Sequence, residues 1–510
     1  MPMPSRAVPT VKGPSKVSYS SRLYNADLAP EVKNKRQTKS GFSIFSFWTA
    51  DLHSVSSYVF AAGLFALGLR SWQLLLSLLI GIALVQFLSN LITKPSQVTG
   101  TPYPVAARMA FGVHGAVVPL LIRALVATAW YGMQTFVAAS AFGIVVVRLI
   151  PRLAPYATHK HAFLGLSSVG WGCFVAVWAG QLALSWNGAT LVKRVNAWIG
   201  PAVYAGMVCL AAWTLWKSGF AGLALGVREG DRELNVGATL WQMSTAVALV
   251  VSFFAGPLLR VSDSARHCRS YAGVMRGNLG GLLVNGLFFA AITVVTTAGT
   301  LPSLGELTRG PIDSLSRTDA IVVAILGALV FTSATLSLNV LTNAMTAGFD
   351  IATATRVINR RAGRGIAAGL AVVMTPWNLF NSPAHLHTTL DVIGALVGPL
   401  FAVLIVDFYG IKNQQVKLDA LYSESTRGCY WYDRGVNWFA ITALACGITV
   451  GCVLCVLPHC FREPGLFREL AHLSWVSGAL VAGLVYRFLA AEEEPLVITP
   501  AQVIRARQLL

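Results

Sequence analysis

Apolar stretches of about 20 residues recur along this chain, and short polar segments separate them. Because about 20 residues of α-helix cross a bilayer roughly 30 Å thick, these stretches predict transmembrane helices. We place twelve spans, at residues 42-69, 71-93, 115-149, 162-184, 196-216, 239-259, 279-300, 319-348, 365-380, 389-409, 436-457 and 471-490. The pattern therefore predicts an all-α polytopic membrane protein with twelve transmembrane helices.

Two of the predicted spans, the first and the sixth, contain polar or helix-breaking residues near their centres. The first span contains Asp51 and His53, with serines at 54, 56 and 57. The sixth contains Gly256 and Pro257 between apolar residues. Unwound backbone at membrane depth is tolerated only where it lines a buried cavity, and transporters place such breaks at matching positions of two repeats. The pattern predicts a transporter with a broken helix at each position.

The order of the spans predicts two repeats of five helices, followed by two further helices. An odd number of crossings puts the second repeat in the opposite orientation to the first. The polar terminal tails are expected to be mostly unstructured and solvated. The domains that we predict are a cytoplasmic basic tail at 1-41, a first repeat at 42-216, an inverted second repeat at 239-409, a cytoplasmic loop at 410-435, two additional helices at 436-490 and a cytoplasmic tail at 491-510.

Composition and charge agree with a membrane protein. Hydrophobic residues make up 55% of the chain and charged residues 12%, too little charge for an ordinary water-soluble surface. The first 41 residues lack the apolar core of a cleavable signal peptide. With the amino terminus inside, 27 Lys and Arg residues lie on the inner side and 11 on the outer side. We predict an integral protein of the inner or plasma membrane, with both termini in the cytoplasm.

The net charge of +18 does not indicate nucleic-acid binding, because the basic residues are spread over every inner loop instead of forming one patch. The cysteines form no disulfide framework. Cys452 and Cys455 lie inside an apolar span, so packing is a better explanation than a metal or redox site. We predict no metal and no nucleic-acid partner, and the oligomeric state stays open.

Polar residues on the third and eighth spans are candidates for ligand binding. Trp130 and Gln134 lie four residues apart and share a helix face, with Gly132 between them. A flat ring can stack on the indole while the amide bonds its edge. The alternative is a packed tryptophan with a glutamine bonded to a neighbouring helix. Asn339 and Asn343 are either ligand contacts or hydrogen bonds between helices.

Aromatic and ionisable residues lie beside the two predicted breaks. Phe253 and Phe254 precede the break of the sixth span, where an aromatic ring would point at a cavity, although Phe is also a common lipid-facing residue. Asp51 and His53 are ionisable groups near the middle of the first span. Such groups are costly inside a membrane and are usually functional. The alternative for them is a position at the mouth of a wet cavity.

Several motifs occur in the order found in one transporter family. They are 24-30 (YNADLAP), 104-112 (PVAARMAFG), 130-134 (WYGMQ), Asp263 with Arg266, Asn339 with Asn343, Pro376-Trp377, Gly398-Pro399 and 434-438 (RGVNW). Over nearly the whole chain they resemble the nucleobase:cation symporter family. The resemblance implies a leucine-transporter-type fold of two inverted five-helix repeats plus two helices. It also implies import of a nucleobase such as uracil or cytosine, or of hydantoin or allantoin, by cation symport and alternating access.

The resemblance also implies the substrate site. Trp130 matches the family's stacking tryptophan, Gln134 its hydrogen-bonding glutamine and Asn343 its second polar contact. Phe254 stands where a relative has a second tryptophan, and Ser54 where that relative has a longer amide. The substrate-binding residues implied are Trp130, Gln134, Phe254, Asn343, Ser54 and Asn339.

The cation site departs from that of sodium-coupled relatives, which use two adjacent hydroxyl residues on the eighth span. Here the pair reads Ser337-Leu338, and leucine offers no oxygen to a cation that prefers oxygen ligands. Asp51 adds a carboxylate on the first span. The cation-coupling residues implied are Ala50, Asp51, His53, Ala334 and Ser337. We expect coupling to H⁺ rather than Na⁺, and no cofactor.

Arg123 on the third span and Asp263 at the inner end of the sixth are expected to pair as an inner gate. The partners that we predict are the heterocycle and the lipid bilayer, with no catalytic residues and no enzyme activity. Two alternatives stay open. One is a transport-inactive nutrient sensor on the same fold. The other is a membrane enzyme acting on a heterocycle, although His385 and His387 lie on a predicted outer loop away from any catalytic set.

Overall fold

The computed structural model of the protein is mostly helical. It describes residues 10-12, 18-20, 22-31, 37-158, 160, 162-187, 189-220, 223-224, 226-230, 233-308, 310-460, 470-492 and 504-505. Much of the predicted tails at 1-41 and 491-510 lies outside these residues.

Nineteen helices and six short strands follow one another along the described chain. The helices are α1 (Phe42–Leu52), α2 (Val55–Gly63), α3 (Ser71–Thr99), α4 (Tyr103–Ala106), α5 (Arg108–Phe111), α6 (Val117–Leu149), α7 (Ser168–Asn187), α8 (Ala189–Lys217), α9 (Val236–Ala265), α10 (Tyr271–Asn278), α11 (Asn285–Leu304), α12 (Pro311–Ser316), α13 (Ile321–Asn339), α14 (Met345–Thr355), α15 (Arg360–Val373), α16 (Pro376–Phe380), α17 (Pro383–Ile405), α18 (Trp438–Cys460) and α19 (Ser474–Leu489). The strands pair antiparallel as β1 (Thr10–Lys12) with β2 (Ser18–Ser20), β3 (Ala162–Phe163) with β4 (Leu166–Ser167), and β5 (Gln415–Val416) with β6 (Ile504–Arg505).

Three π-helical segments connect or extend the long helices. Leu279–Val284 joins α10 to α11, Val340–Ala344 joins α13 to α14, and Val406–Ile411 extends α17. A π-helical turn inserts an extra residue into the helix and often marks a functional position. The second of these segments contains Asn343, one of the predicted substrate contacts.

Within the described residues, eight helices are long and apolar enough to span a membrane, and the pair α1 and α2 makes up to nine if it forms one bent span. They cover the predicted spans except 196-216, 365-380 and 471-490. Those three are helical as well, in α8, in α15 with α16, and in α19. The exposed face of α3 is apolar over several turns, with Trp72, Leu76, Ile80, Leu84 and Phe87. Such a face suits contact with lipid. The chain is therefore a helical integral membrane protein.

The predicted break of the first span is confirmed. Between α1 and α2 the helix axis bends by 55°. Ser54 begins α2 as its N-cap, and its hydroxyl accepts a hydrogen bond from the Ser57 N–H at 3.2 Å. Ser57 Oγ donates to the Asp51 carbonyl at 2.7 Å. The serines satisfy backbone groups that the break would otherwise leave unpaired, which is why a polar sequence at this depth forms a stable interruption.

The predicted break of the sixth span is wrong, because α9 runs as one helix from Val236 to Ala265 with Pro257 inside it. Proline removes only the hydrogen bond to the Phe253 carbonyl, and close packing can compensate for one lost bond. Gly256 lies beside the Trp130 ring of α6, where an added Cβ would make an ordinary van der Waals contact of 3.5 Å with Trp130 Cδ1. The Gly-Pro pair therefore does not interrupt α9.

Helix packing places α9 at the centre of the molecule. Its most apolar window is 83% buried, compared with 28–67% for the other long spans. Helix α9 packs along α3 and also contacts α1, α6 and α17. Helix α6 packs against α13 and α14, and α17 also packs against α18 and α19. The central part of α9 is consequently buried among other helices.

The described part of the amino-terminal tail is docked on the protein, contrary to the prediction of a solvated tail. Leu23 and Leu28 are buried in a cluster with Tyr422 of the 410-435 loop. Tyr422 donates its hydroxyl proton to the Leu28 carbonyl at 2.6 Å, and buried Arg108 donates to the Leu23 carbonyl at 3.0 Å. Burial lowers the pKa of Arg108 to about 10. A few apolar side chains in a polar segment are sufficient to anchor it.

The start of the tenth span also differs from the prediction. His385 and His387, expected on an outer loop, lie in the first turns of α17. Ser382 caps this helix by accepting a hydrogen bond from the His385 N–H, and Pro383 occupies its first position. The cap and the proline start the helix six residues before the apolar stretch begins.

Candidate functional site

A small cavity lies where the break between α1 and α2 faces α6, α9 and the π-helical segment at Val340–Ala344. The space between these elements, counted together with the part that is open to solvent, is about 310 Å³. The cavity is lined by Asp51, Ser54, Ser57, Trp130, Gln134, Phe253, Phe254, Pro257, Arg260 and Asn343. Five of the six predicted substrate residues and the predicted cation-coupling residue Asp51 are thus brought together at one place.

The aromatic wall of the cavity consists of Trp130 and two phenylalanines. The Trp130 and Phe253 rings lie 4.9 Å apart at 80°, in an edge-to-face arrangement. Phe253 is in turn stacked on Phe60, with ring centroids 4.3 Å apart. Phe254 lines the cavity as predicted, and its ring contacts Trp48 edge-to-face at 6.3 Å. The family resemblance implied Phe254 alone as the second aromatic ring of the site. In the structure both Phe253 and Phe254 line the cavity.

Two amides form the polar wall. Asn343 Nδ2 donates to Gln134 Oε1 at 3.2 Å and to Asn339 Oδ1 at 2.8 Å. Among the described residues, Gln134 Nε2 and Asn343 Oδ1 make no further side-chain hydrogen bond. The wall therefore presents a donor and an acceptor to the cavity next to the Trp130 ring, and these can bond the edge of a flat polar ligand.

Asn339, predicted as a substrate contact, does not line the cavity. Its Nδ2 atom donates to the Tyr131 carbonyl at 2.9 Å and lies 3.2 Å from Thr135 Oγ1 and 3.3 Å from Gln181 Oε1. Asn339 is fully buried. The amide holds the eighth span to α6 and α7, and it orients Asn343 through its own oxygen. The alternative of an interhelical hydrogen bond therefore describes Asn339 better.

Asp51 carries an ion pair that the sequence analysis missed. Arg260 Nη2 lies 3.2 Å from both carboxylate oxygens of Asp51, and both side chains are buried. Arg260 follows Pro257 by three residues on α9, so the two share a helix face. The predicted sixth span ended at residue 259, which placed Arg260 outside the membrane. Its spacing from Pro257 was the signal that could have located it.

The other predicted cation-coupling residues lie apart from the ligand cavity. His53 Nδ1 lies 2.6 Å from the Tyr58 hydroxyl and Nε2 lies 3.1 Å from Asn285 Oδ1, so the imidazole points toward α11. Ser337 Oγ donates to the Ala334 carbonyl at 3.1 Å. Ala50 lies on α1, next to Asp51. In the described chain, no group of three or more His, Cys, Asp or Glu side chains could hold a metal ion.

Arg123 contacts Asp263, as the sequence predicted. Asp263 follows Arg260 by three residues on α9. Arg123 Nη1 lies 2.8 Å from Asp263 Oδ2. A second carboxylate, Asp350, was not predicted and accepts from Nε at 2.6 Å and from Nη2 at 2.5 Å. Asp350 follows Asn343 by seven residues, a spacing that places both on one helix face. The Tyr103 ring lies 4.2 Å from Arg123 Cζ, and its backbone N–H donates to Asp263.

Comparison with known proteins gives relatives and structures that match most of the chain. The allantoin permease of Bacillus subtilis is 29% identical over 478 residues, covering 93% of this chain and 95% of the relative. The purine-uracil permease of Arabidopsis thaliana is 28% identical over 485 residues, covering 93% and 77%. The inward-facing structure of Mhp1 superposes with a TM-score of 0.74 at 21% identity, covering 96% of this chain and 99% of Mhp1.

A second structure of Mhp1, a nucleobase-cation-symport-1 family transporter in a closed conformation with bromovinylhydantoin bound, gives a TM-score of 0.71 at 22% identity, covering 96% of this chain and 100% of Mhp1. These likenesses establish the Mhp1 fold. The family model for permeases of cytosine/purines, uracil, thiamine and allantoin matches residues 31–478. The match confirms the resemblance drawn from the motifs, and the chain belongs to this permease family.

Proposed function

We propose that the protein imports a small planar nitrogen heterocycle by cation symport and alternating access. The observation that carries the proposal is the cavity in which the Trp130 ring and the Gln134–Asn343 amide pair face a broken helix. A flat ring gains stacking energy on the indole, and its polar edge gains hydrogen bonds from the amides. We propose uracil, cytosine, hydantoin and allantoin as the substrates to test.

The arrangement in the membrane is part of the same proposal. We propose twelve spans, with residues 42-216 and 239-409 as inverted five-helix repeats, 436-490 as two added helices and both termini in the cytoplasm. The likeness to Mhp1 over 96% of the chain supports the fold. The excess of Lys and Arg on one set of loops supports the orientation, with the 1-41 tail, the 410-435 loop and the 491-510 tail on the inner side of the cell membrane.

We propose H⁺ as the coupling ion. Leu338 offers no oxygen beside Ser337, and the Ser337 hydroxyl already donates to the Ala334 carbonyl. A sodium site at Ala50, His53, Ala334 and Ser337 would lack a ligand that a hard cation needs. Asp51, in contrast, is a carboxylate that lines the ligand cavity and can carry a proton.

We propose that Arg123 with Asp263 and Asp350 forms the inner gate. The three charges link α6, α9 and α14 on the side of the cavity toward the cytoplasmic loops. In alternating access the cavity opens to one side at a time, so this triad must separate before the substrate is released inward.

Counterflow of labelled substrate in proteoliposomes separates transport from the two alternatives. Vesicles loaded with unlabelled uracil, cytosine, hydantoin or allantoin are expected to take up the matching labelled compound, and empty vesicles without protein serve as the control. A sensor would bind a compound without exchanging it, and an enzyme would convert it to a product separable by chromatography. Failure of all four compounds to bind or exchange contradicts the proposal.

Replacing the cavity amides should weaken binding without unfolding the protein. Gln134→Leu and Asn343→Leu retain side-chain bulk but remove hydrogen-bonding groups, leaving a buried ligand edge unpaired at about 1–3 kcal/mol, or roughly 5- to 150-fold in affinity. Asn339→Leu is the contrasting variant, since it should lower the melting temperature with a smaller effect on affinity. Isothermal titration measures the affinity of each variant, and thermal unfolding measures its melting temperature. Normal affinity in a Gln134 or Asn343 variant would remove that residue from the site.

A further inference from the structure

A buried ion pair lines the proposed substrate cavity, and it has no part in the stack or in the amide wall. The side chains of Arg260 and Asp51 are only 9% and 8% exposed, and both lie at the cavity. Removing two charges from water costs more than their attraction usually returns, so a buried pair of this kind is weak evidence for a stabilising role. A binding role explains its position better.

One nitrogen of Arg260 is available for a ligand. Arg260 Nη2 donates to both oxygens of Asp51, whereas Nη1 is buried and has no hydrogen-bond partner among the residues that the structure describes. A buried N–H group that lacks an acceptor is costly, and a guanidinium group has several donors in a rigid plane. The Phe47 ring, 5.8 Å from Cζ, can attract the cation through its π-face but supplies no lone pair. A substrate oxygen entering the cavity supplies the missing acceptor.

Asp51 complements this donor. Its carboxylate oxygens accept from a single nitrogen of Arg260 and retain lone pairs for a second donor. The pair thus presents an N–H donor beside a carboxylate acceptor. The complementary group on a flat ring is a carbonyl next to a ring N–H, that is, a lactam edge.

We propose that Arg260 and Asp51 recognise a lactam edge of the substrate, with Arg260 Nη1 donating to the carbonyl oxygen and Asp51 accepting from the adjacent N–H. The inference rests on the proposed function and narrows its substrate class to neutral oxo-heterocycles. The Gln134–Asn343 wall bonds another edge of the same ring. A cationic ring such as a thiazolium is repelled by the guanidinium, and a ring that lacks an oxo group leaves Nη1 unpaired.

Removing single oxygen atoms from the ligand tests the contact with Arg260. Uracil is compared by isothermal titration with 2-pyrimidinone, which lacks the 4-oxo group, and with 4-pyrimidinone, which lacks the 2-oxo group. If uracil does not bind the wild-type protein, hydantoin with 2-imidazolidinone and 4-imidazolidinone forms the matched series. In the wild-type protein, at least one mono-oxo compound should bind roughly 10-fold or more weakly than the dioxo compound, as expected for a hydrogen bond from a charged donor.

The same series on Arg260 variants completes a double-mutant cycle. The affinity gap is the ratio of the affinities of the dioxo and mono-oxo compounds for one protein. Arg260→Lys keeps a positive charge for Asp51 but lacks the second nitrogen, so this gap should shrink to about 2-fold or less. Asp51→Leu with Arg260→Met replaces the pair by apolar residues of similar volume, which proteins often tolerate, and should also close the gap. Arg276→Met, on an exposed arginine of α10, should keep the full gap.

The outcomes separate this inference from the proposed function. A gap of equal size in the wild type and in the Arg260 variants overturns recognition by Arg260, while transport of the heterocycle stands. Absence of binding by uracil, cytosine, hydantoin and allantoin to the wild-type protein overturns the proposed function itself.

Discussion

Asp51→Asn is expected to abolish accumulation of the substrate against its concentration gradient while sparing exchange. Asp51 lines the cavity at the break of the first span, and under the proposed proton coupling a proton bound to its carboxylate crosses together with the substrate. Protonation removes the negative charge that Arg260 neutralises at 3.2 Å, which links proton binding to the state of the cavity. Asparagine keeps the shape of the side chain and one acceptor oxygen for Arg260, but it cannot take up a proton. The accumulation ratio should therefore fall to about 1 in proteoliposomes with an imposed pH gradient.

The same vesicles test the ion directly. Uptake by the wild-type protein should be unchanged when choline replaces sodium, and it should collapse when a protonophore dissipates the pH gradient. Asp319→Asn, on an exposed carboxylate, is the matched control and should accumulate substrate normally. A clear sodium dependence, or full accumulation by Asp51→Asn, contradicts proton coupling and favours the sodium-coupled alternative.

Arg123→Glu is expected to cost most of the transport activity, because it leaves Asp263 and Asp350 facing a third negative charge. Breaking a buried ion pair by removing one partner costs about 3–5 kcal/mol, which corresponds to a loss of at least about 100-fold in the closed population or in folded protein. Uptake and thermal unfolding measured together separate a leaky gate from a misfolded chain. Arg152→Glu, on an exposed arginine after the carboxyl-terminal end of α6, should retain activity.

The double variant Arg123→Glu with Asp263→Arg examines the contact itself. A reversed pair should restore part of the activity, and only part, since Asp350 is placed to accept from residue 123 through two hydrogen bonds. Equal damage in the single and double variants argues against coupling between Arg123 and Asp263.

Local sequence patterns predicted the helices and the first break, but not the behaviour of the sixth span. The break between α1 and α2 is encoded locally, because Ser54 and Ser57 satisfy the freed backbone groups within a few residues. Gly256 and Pro257 form the same kind of signal. At these residues α9 nevertheless runs as one helix, packed against α1, α3, α6 and α17. Tertiary packing of this kind is absent from any sequence window.

The site shows the same division between local and long-range information. Trp130 and Gln134 are four residues apart, so their shared face follows from helix geometry, and the family resemblance supplied Phe254, Asn343 and Ser54. The partner of Asp51 is 209 residues away in the sequence. A pairing over that distance has no local pattern, and Asp350 beside Arg123, at a separation of 227 residues, was missed for the same reason.

The most direct test of the account is the affinity of Trp130→Ala for the heterocycle that passes counterflow, measured by isothermal titration. Loss of an aromatic-base stack of about 1–3 kcal/mol predicts binding weaker by roughly 5- to 150-fold, with a smaller loss in Trp130→Phe. Trp216→Ala, on an indole that is 78% exposed, should bind as tightly as the wild type. Unchanged affinity in a well-expressed Trp130→Ala protein would contradict the assignment of this cavity as the substrate site.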